Sequence, residues 1–171
     1  MNADVSREGA VDQSVFDDFD AVYEAYYQPV YRAVRAIILD AALAEDVTQN
    51  AFVKAYNNRA RYRPTGSLGG WLHKIAVREA ISTLRWRNLQ DRLLATITLG
   101  AHRPQADAAL GGHLSSLLHE LSPGSRAAVV LFYFYGYRYR EVATILGIPE
   151  GTVATRIANG LRKMRKAIDR D

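Results

Sequence analysis

Seven side chains near the C-terminus carry the clearest chemistry. Thr152, Thr155, Arg156, Asn159, Arg162, Lys163 and Lys166 fall on one arc when residues 150–168 are projected as a helix, at about 100° per residue. Each can donate a hydrogen bond to a phosphate oxygen or a base edge. Val153, Ile157, Gly160, Leu161, Met164 and Ile168 form the other arc, which is the expected buried face. A short apolar helix over residues 138–146 precedes it, with Gly147-Ile148-Pro149 as the turn. A short helix, a tight turn and a longer basic helix make a helix-turn-helix. The second helix of such a pair enters the major groove and meets base edges with its N-terminal residues. Thr152, Thr155 and Arg156 are placed for bases, whereas Arg162, Lys163 and Lys166 lie further along, where phosphates are expected.

A second constellation lies near the middle of the chain. Trp71, Lys74, Arg78, Ser82 and Arg85 share one face of a predicted helix, roughly opposite Leu72, Ala76, Val77, Ala80 and Leu84. Arg59, Arg61, Tyr62 and Arg63 repeat the mixture of cations and aromatics in the preceding loop. Cations follow a phosphate backbone while aromatics stack on bases, so this face suits a nucleic-acid strand. Trp71 serves equally well as a core anchor at the helix start. A third face, with Glu45, Thr48, Gln49 and Phe52 at i, i+3, i+4 and i+7, reads either as a protein-docking surface or as a solvated edge with Phe52 turned inward.

Little points to catalysis. Asp17, Asp18 and Asp20 sit at a helix start, where acids suit the dipole. His113 and His119 are six apart, poor ligand spacing on one helix, and His73 and His102 stand far from them. No phosphate-cradling glycine loop or nucleophile motif is present. No enzyme activity, metal or cofactor is expected. The chain has no cysteine, which excludes disulfides and thiolate zinc sites.

The elements that must position these groups are helical. With 171 residues, 49% hydrophobic and 23% charged, the chain can bury a core. Residues 1–24 hold seven acids and one base, so the overall charge of +4 leaves +10 on the remainder. Residues 59–92 and 156–171 are both basic, as a polyanion partner requires. Residues 1–13 read as a disordered acidic tail. Helices are predicted from about Phe16 to Ile38, kinked or split at Pro29, over 41–57 with Asp40 as N-cap, and over 70–88. Residues 92–112 read as a linker because of their glycines and Pro104. Beyond it come helices at His113–Glu120, from the Ser122-Pro123 cap to Tyr135, at 138–146 and at 150–168. The expected fold is all-α: two small helical domains joined by a flexible linker, the C-terminal one containing the helix-turn-helix. No targeting or membrane-spanning segment is evident, so a cytoplasmic location is expected.

Taken in order, several strings resemble the sigma-70 family of bacterial transcription initiation factors, in its extracytoplasmic-function (ECF) group. Ala44-Glu45-Asp46-Val47-Thr48-Gln49-Asn50-Ala51-Phe52 is similar to the family's Ala-Glu-Asp-Leu-Val-Gln-Glu-Thr-Phe, and Trp71-Leu72-His73-Lys74-Ile75-Ala76 to its Trp-Leu-x-x-Ile-Ala. Leu121-Ser122-Pro123 with Arg126, Glu141-Val142-Ala143 and Leu146-Gly147-Ile148-Pro149-Glu150-Gly151-Thr152-Val153 resemble its C-terminal domain.

The resemblance implies a region 2-like domain over 14–91 and a region 4-like domain over 113–171. The first would bind core RNA polymerase through Glu45, Asp46, Gln49, Asn50 and Phe52. It would also open and recognise the minus-ten promoter element through Arg59, Arg61, Tyr62, Arg63, Trp71, Lys74, Arg78 and Arg85. The second would read the minus-thirty-five element with Arg126, Glu150, Thr152, Thr155, Arg156, Asn159, Arg162, Lys163 and Lys166. Promoter DNA, core polymerase and an anti-sigma factor are the implied partners. The chain departs from the family pattern at Asn50, Arg78, Ser82, Ala154, Ala158 and Asn159.

A linker of about 20 residues can span on the order of 60 Å, more than a duplex turn of about 34 Å, so both promoter elements are within reach. The competing reading is a stand-alone helix-turn-helix regulator that binds a palindrome as a dimer.

Overall fold

A computed structural model describes residues 16–63, 66–95 and 111–169. The expected acidic tail at 1–13 and residues 96–110 of the expected linker lie outside them. Seven helices make up the described chain, with no strand: α1 (Phe19–Ile38), α2 (Ala41–Asn57), α3 (Leu68–Ala95), α4 (Gly112–His119), α5 (Pro123–Tyr133), α6 (Tyr139–Leu146) and α7 (Glu150–Ile168). None is long and apolar enough to cross a membrane.

Local signals set most of the ends. The Asp18 carboxylate accepts the Ala21 N–H at 3.1 Å, and Asp40 accepts that of Leu43 at 3.0 Å, which starts α1 and α2. Ser122 accepts from Ser125 N–H, with Pro123 in the first turn of α5. Pro29 does not split α1. Proline removes one N–H, and the helix is anchored just beyond it by Val30 and Val34, both fully buried. α1 ends at Leu39 in the left-handed conformation, φ 62°. That backbone costs a leucine about 1–2 kcal/mol. Leu39 is only 2% exposed, and burying a leucine is worth about 1.5–3 kcal/mol, enough to hold the corner.

α3 is longer than the predicted 70–88 at both ends. Ser67 Oγ accepts the Gly70 N–H at 3.0 Å and caps it early. Its far end, residues 85–94, projects with every side chain exposed, so no burial pattern marked it in the sequence. α5 stops two residues short of the expected Tyr135.

α1, α2 and α3 pack into one bundle around Ile37, Val47, Ala51, Leu72 and Val77. α4 to α7 pack around Leu118, Val130, Val142 and Val153. The two groups are in contact: α1 and α3 lie against α5, and α3 also lies against α6, so their apolar residues form one continuous core.

Candidate nucleic-acid interface

The α7 surface is built as its periodicity requires over the first three turns. Val153, Ile157 and Gly160 are buried. Gly160 sits on α5 so closely that a Cβ there would lie 3.1 Å from Val129 Cγ2. Beyond that contact the helix has less behind it. Met164 is half-buried, while Leu161 and Ile168 are 39% and 50% exposed, contrary to the expected buried face. Sequence periodicity aligns residues on a face but does not say how far the neighbouring helix extends.

On the outer face Thr155, Asn159, Arg162, Lys163 and Lys166 are exposed, and Thr152 and Arg156 are half-buried. Thr155 donates to the Gly151 carbonyl at 2.9 Å, and Arg162 donates to Asn159 Oδ1. The Arg156 guanidinium lies over Gly124, where a Cβ would come within 2.6 Å of it. Glu150 is exposed in the first turn, at the positive end of the dipole. Among the described residues, no carboxylate forms an ion pair with Arg156, Arg162 or Lys163, so their charge faces outward.

Arg126, expected on the minus-thirty-five side, lies inside the fold. It is 6% exposed and its fork is fully engaged. Nε donates to Leu118 O at 2.7 Å and Nη2 to Leu121 O at 3.0 Å, while Nη1 reaches across to Ile37 O of α1. Burial pushes its pKa down to about 10, so it stays a cation at neutral pH. A buried guanidinium spent on three carbonyls cannot meet DNA in this arrangement.

The α3 face gathers around a cleft of about 350 Å³ between the two groups of helices. One wall carries Tyr62, Arg63, Trp71 and Lys74, and the other carries Tyr137, Arg140, Glu141 and Thr144. Trp71 fills both roles considered for it. It borders the cleft, and it packs edge-on against Tyr62 at 5.2 Å and Phe16 at 5.7 Å between ring centroids. Tyr62 is 6% exposed, so it supports Trp71 and offers no open face for stacking. Arg59 lies over the Tyr56 ring at 4.0 Å, outside the cleft, and exposed Arg61 and Arg85 do not line it either. Arg78 is exposed as expected, but its guanidinium is engaged on the other group of helices. Its Nε donates to Ile145 O at 2.8 Å and its Nη2 to Thr144 O at 3.1 Å, both on α6.

On α2, Glu45, Asp46, Gln49 and Asn50 are exposed and contiguous. Phe52 is not part of that surface. It is 3% exposed, enclosed by Phe19, Tyr23 and Tyr27 of α1. Thr48 is also buried, donating to Ala44 O at 2.7 Å. The sequence left Phe52 undecided because the aromatics that cover it lie some thirty residues earlier. Val53 and Tyr56, 59% and 43% exposed, are the apolar groups α2 does present, and the sequence reading missed them.

Residues the sequence reading also missed join the two groups of helices. His73, 4% exposed, shares a 2.8 Å hydrogen bond with the Tyr137 hydroxyl through Nδ1. The Tyr135 hydroxyl donates to Pro29 O at 2.7 Å. More than sixty residues separate each pair, and no local pattern signals them.

Burial holds the His73 pKa below its ordinary 6.5, against the pull of the Pro29 and Gly69 carbonyls. The unfolded chain therefore binds protons first as pH falls below 6.5. Stability from this group is complete above 6.5 and is lost as pH drops through the depressed value. His119 is shifted the same way, by burial and then by the Arg126 charge. Urea titrations should show lower stability at pH 5.5 than at 7.5, with a smaller difference in His73→Gln. An equal difference in both proteins would refute this account of His73.

Residues 22–89 match the family description Sigma-70 region 2, and residues 113–164 match Sigma-70, region 4. The chain is 31% identical over 163 residues to the ECF RNA polymerase sigma factor SigE of Mycolicibacterium smegmatis, across 90% of this chain and 63% of that protein. It thus spans just under two thirds of that relative's length. It is 30% identical over 156 residues to the RNA polymerase sigma factor CarQ of Myxococcus xanthus, across 89% of this chain and 90% of CarQ. Among solved structures, the fold is similar to the sigma factor RpoE in complex with the anti-sigma factor NepR from Bartonella quintana. The TM-score is 0.73 at 21% identity, over 91% of this chain and 99% of that one. CnrH in complex with the cytosolic domain of CnrY gives 0.65 at 24% identity, over 90% and 88%.

Proposed function

Because this chain belongs to the sigma-70 family, in its ECF group, we propose that it confers promoter specificity on RNA polymerase by contacting two DNA elements at once. α7 reads the minus-thirty-five element. Thr152, Thr155 and Arg156 face bases, and Asn159, Arg162, Lys163 and Lys166 face the backbone. Trp71 and Lys74, with Arg63, take the minus-ten strand. The exposed acidic and amide surface of α2, Glu45, Asp46, Gln49 and Asn50, docks on core polymerase, with Val53 and Tyr56 beside it. The domains are those of the two family matches, joined by the segment between α3 and α4.

The observation that carries this reading is the outer face of α7: hydrogen-bond donors and cations on the second helix of a helix-turn-helix, of which Arg156, Arg162 and Lys163 form no ion pair among the described residues. Each surface alone binds weakly. Joined through one chain and held by polymerase at a fixed spacing, they gain from effective concentration. Strand opening asks for no bond chemistry. Capture of an unstacked base near Trp71 draws the duplex open by mass action. An anti-sigma factor belongs to the same proposal, since the similar RpoE structure holds one.

Transcription with purified core polymerase tests the function. Adding the chain should produce initiation at a discrete set of promoters from a genomic library. Unchanged transcription would argue against it. Tight binding of a palindromic site by the chain alone would instead favour a dimeric regulator.

A further inference from the structure

The end of α3 carries four large apolar side chains, and the fold buries none of them. Trp86, Leu89, Leu93 and Leu94 are between 48% and 61% exposed. We propose that this end of α3 is a peripheral membrane-docking surface, which lies along a bilayer containing anionic lipids without crossing it. It is separate from the surfaces assigned above to DNA and polymerase.

The arrangement around the helix carries the inference. At about 100° per residue, Leu89, Leu93, Trp86 and Leu94 follow one another on an arc of about 140°, interrupted only by Gln90. Arg85 and Arg92 lie just beyond the Leu89 edge of this arc, and Arg87 lies just beyond the Leu94 edge. Trp86 projects opposite Val77, Ala80 and Ile81, the buried residues that seat α3 in the core, so the apolar arc is turned outward. Tryptophan and leucine on one side of a helix, with cations along both edges, suit the boundary between lipid headgroups and acyl chains. The apolar groups enter that boundary while the guanidiniums reach back to lipid phosphates.

Charge and apolarity together select this occupant. A second copy would set three arginines and one aspartate against the same set, so like charges would meet along the seam. A nucleic-acid strand would satisfy the arginines but would give three leucines nothing apolar to bury against. An anionic bilayer meets both needs, and the +10 carried outside residues 1–24 adds to the attraction. Arg87 stands 3.5 Å from Asp40 Oδ2, in a half-exposed pair. Such a pair is worth little in water, so Arg87 can exchange it for a lipid phosphate.

The chain's two tryptophans, Trp71 and Trp86, make this testable, since Trp71→Phe leaves Trp86 as the sole indole. Vesicles of phosphatidylglycerol and phosphatidylcholine in equal parts should shift its emission to the blue and carry the chain down on sedimentation. Pure phosphatidylcholine vesicles should do neither. Leu89→Gln/Leu93→Gln should weaken binding to the anionic vesicles at least ~10-fold. Arg87→Gln/Arg92→Gln should weaken it roughly ten- to thirty-fold at low salt and less at high salt. These four positions are exposed, so both variants should keep the wild-type urea midpoint.

No binding to anionic vesicles would overturn the proposal. So would binding that the leucine variant leaves unchanged, because net positive charge alone would then account for it. Equal binding to phosphatidylcholine would overturn it as well. An emission shift caused by a promoter oligonucleotide and not by vesicles would give the surface to DNA instead. A dimer that Leu89→Gln/Leu93→Gln abolishes, in a chain that ignores vesicles, would give it to a second copy.

Discussion

Arg126→Ala should cost the folded chain about 3–4 kcal/mol, read as a lower urea midpoint at unchanged slope. The guanidinium is one of few buried polar groups among the described residues, and it is spent on carbonyls at helix ends. Leu118 O lies near the end of α4, Leu121 O in the turn before α5, and Ile37 O in the last turn of α1. Such carbonyls have no partner within their own helices. The charge is offset by the negative ends of two helices and three hydrogen bonds. Alanine removes the donors and leaves the acceptors dry, along with a cavity.

Arg126→Met separates the two losses, since it restores volume without donors and should recover only part of the stability. Arg126→Lys should also fail to restore it, because an ammonium cannot span three carbonyls as a planar fork does. An alanine variant within about 1 kcal/mol of wild type would sink the clamp assignment. One that lost minus-thirty-five affinity at full stability would restore the DNA contact implied by sequence resemblance.

Arg156→Ala and Trp71→Ala should damage different promoter elements, each by roughly ten- to a hundred-fold. A good side-chain contact to a base edge in the major groove is worth about 1–3 kcal/mol, and base stacking on an aromatic about the same. Arg156 lies in the second turn of α7, so its loss should relax preference at a position of the upstream element. Trp71→Ala should leave that element unaffected and weaken open-complex formation.

The structure adds a control to the second variant. Trp71 also supports Phe16 and Tyr62, so Trp71→Ala should lower stability, whereas Trp71→Phe should retain packing and part of the stacking. Lys163→Ala, which touches only backbone in this scheme, should flatten the log–log salt dependence by about 0.9 without changing sequence preference. Arg156→Ala and Trp71→Ala altering the same promoter position would break the division of labour between α3 and α7.

The sequence was enough to place α2 at 41–57 and α7 at 150–168, because both are set by neighbours within four residues. Asp40 caps the first, Gly147 and Pro149 punctuate the second, and helical periodicity fills the interval. The outer face of α7 was legible for the same reason: projection alone collects the donors on one side. The motif strings then identified the family, because their order along the chain survives without knowledge of their packing.

Which faces meet was decided only in three dimensions. Arg126 and Arg162 are both basic residues in amphipathic helices, yet one is sealed between α1 and α4 and the other stands in water. Phe52 was buried by aromatics of α1, and Leu161 and Ile168 stayed exposed past the α5 contact. Arg78, on the outer face of α3, spends its guanidinium on carbonyls of α6. Periodicity reports which residues share a side of a helix. It carries no information about the neighbour on that side, since that contact is made by residues tens of positions away.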